Sequence, residues 1–228
     1  MLMDEFDRSR CGFKPGRPRR GTEAERMDVL IHAATRIFLE KGYGFASIDK
    51  IANEAGISTR TIYQRFKNKA ELMVAVVNRL MDRDMAQMFG RQEIDHMEPA
   101  AALTLIAQTI VNRFCDSDSA ALIRIIATEA QRFPELTAQV RRTTRKRFEN
   151  QLSAYFKRQT ERRVFALADP DGAASLFFHL VAAEMQDCLI YEAEGAIAKV
   201  DWPRHIKGAV HLFLYGATPR PRGKGIST

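Results

Sequence analysis

Apolar residues recur at spacings of three and four along most of this chain, and that period leaves little choice of fold. Met27, Leu30, Ile31, Ala34, Ile37 and Phe38 begin the pattern, and Leu72, Met73, Val76, Val77, Leu80 and Met81 repeat it. Leu103, Ile106, Ile110 and Phe114 follow, then Leu122, Ile123 and Ile126. Ala173, Leu176, Phe177, Leu180 and Val181 carry it on, and Ile206, Val210 and Phe213 close it. A helix returns to the same face every 3.6 residues, so this spacing lays one apolar stripe along each segment. No alternating stretch of useful length and no internal repeat competes with it. The expected fold class is all-α, with about nine helices.

Stop and start signals divide the pattern. Thr22-x-x-Glu25 is a capping box, and Gly42 ends the helix it opens. Ser47 caps a short helix with Ile48, Ile51, Ala52 and Ala55 on one face, and Gly56 stops it. Ser58 caps another, from Thr59 to about Phe66. Asn68, with Glu71 three residues on, starts a long fourth helix. Pro99 opens the next, and Asp116-Ser117-Asp118-Ser119 is a turn and cap cluster. A charged helix is expected from about Glu135 to Arg163. Asp169-Pro170 and Trp202-Pro203 open the last two. Residues 1–21 are rich in Gly, Pro and Arg and read as a flexible basic arm. The expected division is therefore the arm 1–21, a head 22–70 with its motif at about 47–66, a helical domain 71–217 and a basic tail 218–228.

Two short helices joined by a glycine turn at Ser47–Phe66 form a helix-turn-helix pattern. Taking ~100° per residue, Ile62 and Phe66 share one face of the second helix, and Arg60 and Gln64 share the opposite one. Arg can donate two hydrogen bonds to guanine and Gln can pair in bidentate fashion with adenine. Hydroxyls of Thr61 and Tyr63 on the flanks suit phosphates, and Lys67 and Lys69 add charge beside them. The charge distribution agrees. Residues 1–70 carry a balance of +5 and residues 71–217 a balance of −1, within a chain of net charge +7. A polyanion partner for the N-terminal third explains that bias, and so does a solubilising surface. Arg17 and Arg19, in Arg17-Pro18-Arg19, suit an A·T-rich minor groove. An ordinary helical corner with a solvated face, and an ordinary tail, remain the alternatives.

The segment from Ser47 to Leu72 resembles the DNA-binding region of the tetracycline-repressor (TetR) family. The resemblance begins at Ile31-x-Ala33-Ala34-x-x-Ile37-Phe38-x-x-x-Gly42-Tyr43 and covers about residues 24–77. Ala52, Ala55-Gly56-Ile57-Ser58, Ile62-Tyr63 and Phe66-x-Asn68-Lys69 carry it. It implies a homodimer on a palindromic double-stranded DNA operator, mostly a repressor, released by a small-molecule effector in the C-terminal domain. By position it implies phosphate contacts from Ser47, Thr61, Tyr63 and Lys69 and base contacts from Thr59, Arg60 and Gln64. Arg60 stands where many members have Gly, and Gln64 where His is common, which touches base preference rather than mode of binding. Ile123-x-x-Ile126-x-x-Glu129-Ala130-x-Arg132-Phe133-Pro134-Glu135-Leu136 is similar to the AefR-like C-terminal subgroup.

For the effector, polar and aromatic residues set in apolar runs are the candidates: Phe114, Arg124, Glu129, Phe133, Phe177 and His179. Internal packing is the alternative for each. The last two helices carry broader apolar faces than one core stripe needs, so Leu180, Val181, Val210 and Phe213 are expected at a dimer interface. Three scattered cysteines, Cys11, Cys115 and Cys188, argue against a disulfide framework or a structural zinc site. The histidines show no metal-ligand spacing, and no catalytic constellation appears, so no cofactor, metal or enzymatic role is expected. Met1–Arg10 has no apolar core of a secretory signal, and no run approaches a membrane span; a cytoplasmic protein without membrane contact is expected. An activator of the same family, or a helical protein-interaction module that does not read DNA, are the rival functions.

Overall fold

The computed structural model describes residues 22–89, 92–191 and 195–216, with only the backbone of residues 81–88. The basic arm and tail, with Arg17 and Arg19, lie outside the described residues. Ten α-helices are present among the described residues, and no strand. The first four are α1 (Glu23–Phe45), α2 (Ile48–Ala55), α3 (Thr59–Tyr63) and α4 (Lys69–Phe89). Each start carries the cap its sequence announces. Thr22 and Glu25 form the reciprocal capping box, Ser47 accepts from the Lys50 N–H, and Ser58 accepts from the Thr61 N–H. The α1 helix breaks at Gly42, with φ 73° and ψ 169°, and then runs one more short stretch to Phe45. Gly56 adopts φ 64° after α2, the left-handed conformation that costs glycine little.

Six helices follow: α5 (Pro99–Cys115), α6 (Ser117–Thr128), α7 (Pro134–Val140), α8 (Lys146–Glu161), α9 (Pro170–Tyr191) and α10 (Trp202–Tyr215). The long charged helix expected at about 135–163 is α7 and α8 joined by a π-helical turn over Arg141–Arg145. Counted as one rod, it reduces ten helices to the nine expected. The rod is interrupted because the backbone there shifts to hydrogen bonds five residues apart, a local bulge rather than a stop.

Two apolar clusters hold the molecule together. One joins Phe38, Ile51, Ile62, Leu72 and Met73 of the first four helices to Leu122, Ile126 and Leu136 of α6 and α7. The other gathers Leu103, Ile106, Phe156, Phe177, Val181, Met185, Ile206 and Val210 from α5, α8, α9 and α10. Packing does not stop at residue 70: α4 contributes to the head's core along its first half. By length and composition α9 could cross a membrane, but its Ala174, Phe177, Val181, Ala182 and Met185 are fully buried, as in a core helix.

One ion pair pins α8 to the segment before α5. Arg158 donates to both carboxylate oxygens of Asp95, at 2.8 and 3.0 Å, and Gln159 donates to Oδ1 at 3.2 Å. Burial raises the Asp95 pKa, but the Arg158 hydrogen bond and charge, with Gln159 and Arg162, outweigh it and hold the carboxyl below its usual value. A carboxylate depressed in the folded state stabilises above its unfolded pKa of ~3.9 and loses that stabilisation as pH falls toward the folded value. Asp95→Asn is expected to cost about 1–2 kcal/mol at neutral pH, since a charged acceptor becomes neutral. Melting from pH 6 down to pH 3 checks it: the variant should start lower and lose less than wild type.

Candidate DNA-reading head and effector cavity

The head is built by the crossing of α2 and α3. Ala52 and Ala55 are small and buried, Ile62 is fully buried beneath them, and these residues fix α3 against α1 and α2. The opposite side of α3 is open. Arg60, Thr61 and Gln64 are exposed, and Tyr63 is 55% exposed. Gln64 continues the helical backbone, its N–H donating to the Arg60 carbonyl at 2.9 Å, so Arg60 and Gln64 stand one turn apart on that open face. The Thr61 hydroxyl lies 2.8 Å from that of Ser58, inside the cap. Ser47 caps α2 with its oxygen and keeps a hydroxyl proton to donate outward. Lys67 is exposed at the end of the motif.

Lys69 is placed differently from the expectation. Its ammonium turns inward and donates to the carbonyls of Tyr43, Gly44 and Ala46, at 2.6, 3.2 and 2.9 Å. It also lies 4.5 Å from the centre of the Tyr43 ring. The reason is the kink at Gly42, which leaves the last carbonyls of α1 without helical partners. Burial lowers the Lys69 pKa, opposed by the Glu129 charge and reinforced by Arg132. Burial also pushes the Tyr43 hydroxyl up to about 12, with the Glu135 and Glu129 charges in the same direction.

The same corner ties the head to the larger domain. Glu129, at the end of α6, accepts from the Gly44 N–H at 3.1 Å, and Phe133 packs edge-on against Tyr43 at 4.9 Å between ring centres. Glu129 and Phe133, expected at a ligand, therefore form an interdomain joint. Arg124 donates its Nε to the Leu189 carbonyl at 3.1 Å, tying α6 to α9. Phe177 is fully buried and packs against Phe156 and Phe213. None of these four lines the cavity described next.

That cavity, of about 210 Å³, lies between α4, α5, α6, the π turn, α8 and α9. Phe114, Phe148, Phe178, Ile110 and Val77 supply its apolar wall. Asn78, Thr144, Gln151 and Gln186 supply polar groups, and Arg113, Arg145 and Arg147 supply the charge. The Thr144 hydroxyl donates to Asn78 Oδ1 at 2.7 Å, linking the π turn to α4. Of the six residues expected at a ligand, Phe114 lines this space. His179 opens instead onto a second, larger groove outside it, with Arg141, Arg142, Arg145, Lys146 and Glu149. Phe178 stands in an apolar run, whereas Phe148 is flanked by Arg147 and Glu149, and nothing in the sequence says which face of α8 or α9 turns toward a void.

Of the four residues expected at a dimer interface, Leu180 is half-buried on an open stripe of α9 and the other three pack within the protomer. Val181 is fully buried and Val210 nearly so, inside one protomer. Phe213 stacks on Phe156 at 5.4 Å between ring centres. A second stripe stays open on the same helices. On α9 it runs through Leu176, Leu180, Ala183, Asp187, Ile190 and Tyr191, with Leu176 66% and Tyr191 80% exposed. On α10 it runs through Arg204, Gly208, His211, Leu212 and Tyr215. A Cβ at Gly208 would meet nothing in the protomer.

Comparison with known proteins agrees with this architecture. Residues 30–76 match the model of bacterial regulatory proteins of the tetR family, and residues 101–216 match that of the AefR-like transcriptional repressor C-terminal domain. The chain is 43% identical over 58 residues to the HTH-type transcriptional activator FasR of Mycolicibacterium smegmatis, a match covering 25% of this chain and 26% of the relative. It is 35% identical over 85 residues to the fatty acid metabolism regulator protein of Bacillus subtilis, covering 37% of this chain and 42% of the relative. These matches thus span less than half the length of either curated relative. Among solved structures, the transcriptional regulator FadR from Bacillus subtilis in complex with stearoyl-CoA superposes with a TM-score of 0.64. It is 19% identical and is covered over 100% of its length by 84% of this chain, a likeness of fold.

Proposed function

Because the chain belongs to the TetR family of bacterial transcriptional regulators, we propose that it is a cytoplasmic, non-enzymatic repressor that binds a palindromic operator as a homodimer and is released by a small molecule. The observation that carries this reading is the open face of α3, where Arg60 and Gln64 stand one turn apart over a packed Ile62. Inserted in the major groove, that face meets base edges, while Tyr63, Lys67 and the Ser47 hydroxyl reach the flanking phosphates. Thr59, at the first position of α3, faces the bases beside them. Arg17 and Arg19 extend the footprint into the adjacent minor groove. Two such heads must enter grooves about 34–36 Å apart, or a multiple of that. The open stripes of α9 and α10 supply the two-fold contact, closing a four-helix bundle between protomers. Gly208 lets those helices approach closely, and Asp187 and Arg204 offer opposite charges across the axis.

Effector control runs through α4. Val77 and Asn78 stand in the cavity wall, and the same helix begins at Lys69, in the joint with α1. A ligand that binds better when α4 is displaced lowers operator affinity by linkage, because it favours the dimer whose heads are wrongly spaced. An activator is the second reading, favoured by the activator role of the FasR relative. The position of the operator relative to the promoter separates the two.

Arg60→Ala and Gln64→Ala are each expected to weaken specific binding by about 1–3 kcal/mol and to relax preference at one base pair per half-site. Their melting temperatures should stay at the wild-type value, since both side chains are exposed. Competition binding against single-base operator variants is the measurement. Full selectivity in both variants would overturn this assignment of the reading face.

A further inference from the structure

We propose that Phe45 is a further DNA-contacting residue, whose ring packs on the deoxyribose next to the phosphate reached by Ser47 and strengthens binding without reading sequence. The proposal rests on the reading of the head as a DNA binder. Phe45 ends α1 and is 76% exposed, while Tyr43 and Ala46 on either side of it are buried. A single exposed apolar side chain is commonplace. This one is distinguished by how firmly its backbone is held. The Lys69 ammonium draws together the carbonyls of Tyr43, Gly44 and Ala46. The Gly44 N–H donates to Glu129, and the Ala46 N–H donates to the Gly42 carbonyl at 3.2 Å. Gly44 lets the corner sit this close to α6, because a Cβ there would lie 2.9 Å from Glu129 Oε1 and 3.3 Å from Arg132 Nη1. The backbone is therefore fixed on both sides of Phe45, and its ring is left in solvent.

The position of the ring says what covers it. Ala46 and Ser47 are extended, with φ −67° and ψ 131° at the first and φ −115° and ψ 144° at the second. Side chains alternate along extended backbone, and burial follows that alternation: Phe45 is out, Ala46 is in and Ser47 is partly exposed. Phe45 thus stands on the side of Ser47, no more than ~7 Å away between Cα atoms. Ser47 caps α2 with its oxygen and keeps a hydroxyl proton to donate to a phosphate. A phosphate held there places the adjoining sugar within reach of the ring. Phe has no donor for a phosphate oxygen, and the bases of a duplex are stacked on one another, so the apolar carbons of the sugar are the surface it fits. Sugar contacts, like phosphate contacts, position a protein on DNA without carrying sequence information. The open stripes of α9 and α10 lie on helices of the other apolar cluster, so the proposed two-fold contact leaves Phe45 uncovered.

Anisotropy titrations of the full-length protein test this, on a duplex that the wild type selects from a random-sequence pool and on a scrambled duplex of the same composition. Phe45→Ala should lose roughly tenfold in affinity on both duplexes, the effect of losing most of one aromatic side chain from a contact. Its slope of log affinity against log salt concentration should equal that of wild type, because no charge is removed. Its melting temperature should be that of wild type as well, because the ring is exposed. Phe45→p-benzoylphenylalanine, whose benzophenone inserts into C–H bonds, should crosslink to the selected duplex on irradiation. Wild-type affinity of Phe45→Ala on both duplexes, or no crosslink, would overturn the contact. A loss confined to the selected duplex would mean base reading and would overturn the sugar as its partner. A lowered melting temperature would make Phe45 a residue of the fold and overturn the contact too. A wild type that enriches no duplex would overturn the DNA reading of the head itself, a result distinct from a wild type that binds beside a variant that binds equally well.

Discussion

If the proposed two-fold contact holds, Leu176→Glu combined with Leu212→Glu is expected to convert the proposed dimer to a monomer and to weaken binding to the proposed operator by about 10²–10⁴-fold, because two half-sites would no longer be engaged together. Leu176 is 66% and Leu212 43% exposed in the protomer, so neither substitution opens its core. A charged group on each side of a two-fold axis meets its own copy, and the desolvation adds to the repulsion. Sedimentation velocity at micromolar concentration, melting and operator binding should be measured together. The expected pattern is a monomer with the wild-type melting temperature and a weak, half-sized footprint. Val181→Asp and Val210→Asp provide the contrast. Both side chains are buried within one protomer, so they should lower the melting temperature before they touch assembly. A dimeric Leu176→Glu/Leu212→Glu variant with an intact footprint would sink this interface.

Lys69→Ala should unfold the joint rather than merely remove a phosphate contact. The ammonium donates to three carbonyls at the end of α1 and sits over the Tyr43 ring. Its loss leaves those acceptors poorly satisfied in a partly buried corner. A cost of about 2–3 kcal/mol follows for charge-assisted hydrogen bonds, which for a chain of this size lowers the melting temperature by roughly 5–10 °C. Operator binding should fall with it, because α3 is held through the same packing. Salt dependence separates this from the alternative. A structural role leaves the slope of log affinity against log salt concentration unchanged, whereas a phosphate contact removes about one unit of charge from it. An unchanged melting temperature with a flatter slope would place Lys69 on DNA instead.

The fold class, the helix starts and the open face of α3 were legible in the residues themselves. That is so because they depend on local chemistry. Thr22 with Glu25, Ser47 and Ser58 cap their own neighbours, Gly56 supplies a left-handed turn, and the spacing of Arg60, Gln64 and Ile62 sets which faces they share. Such signals act within one or two turns of chain and need no knowledge of what lies across the core. The placement of Lys69, Glu129, Phe133 and Val210 could not be read in that way. Lys69 sits at the start of a helix, where the sequence offers an outward cation, yet the carbonyls that hold it are more than twenty residues away. Glu129 and Phe133 meet Tyr43 and Gly44 only after α6 and α7 fold against α1. On α9, apolar residues surround the helix, so periodicity alone does not tell the core stripe through Val181 from the open stripe through Leu176. The rotation of α9 against α5, α8 and α10 made that choice, by burying one set of apolar side chains in the protomer and leaving the other on its surface.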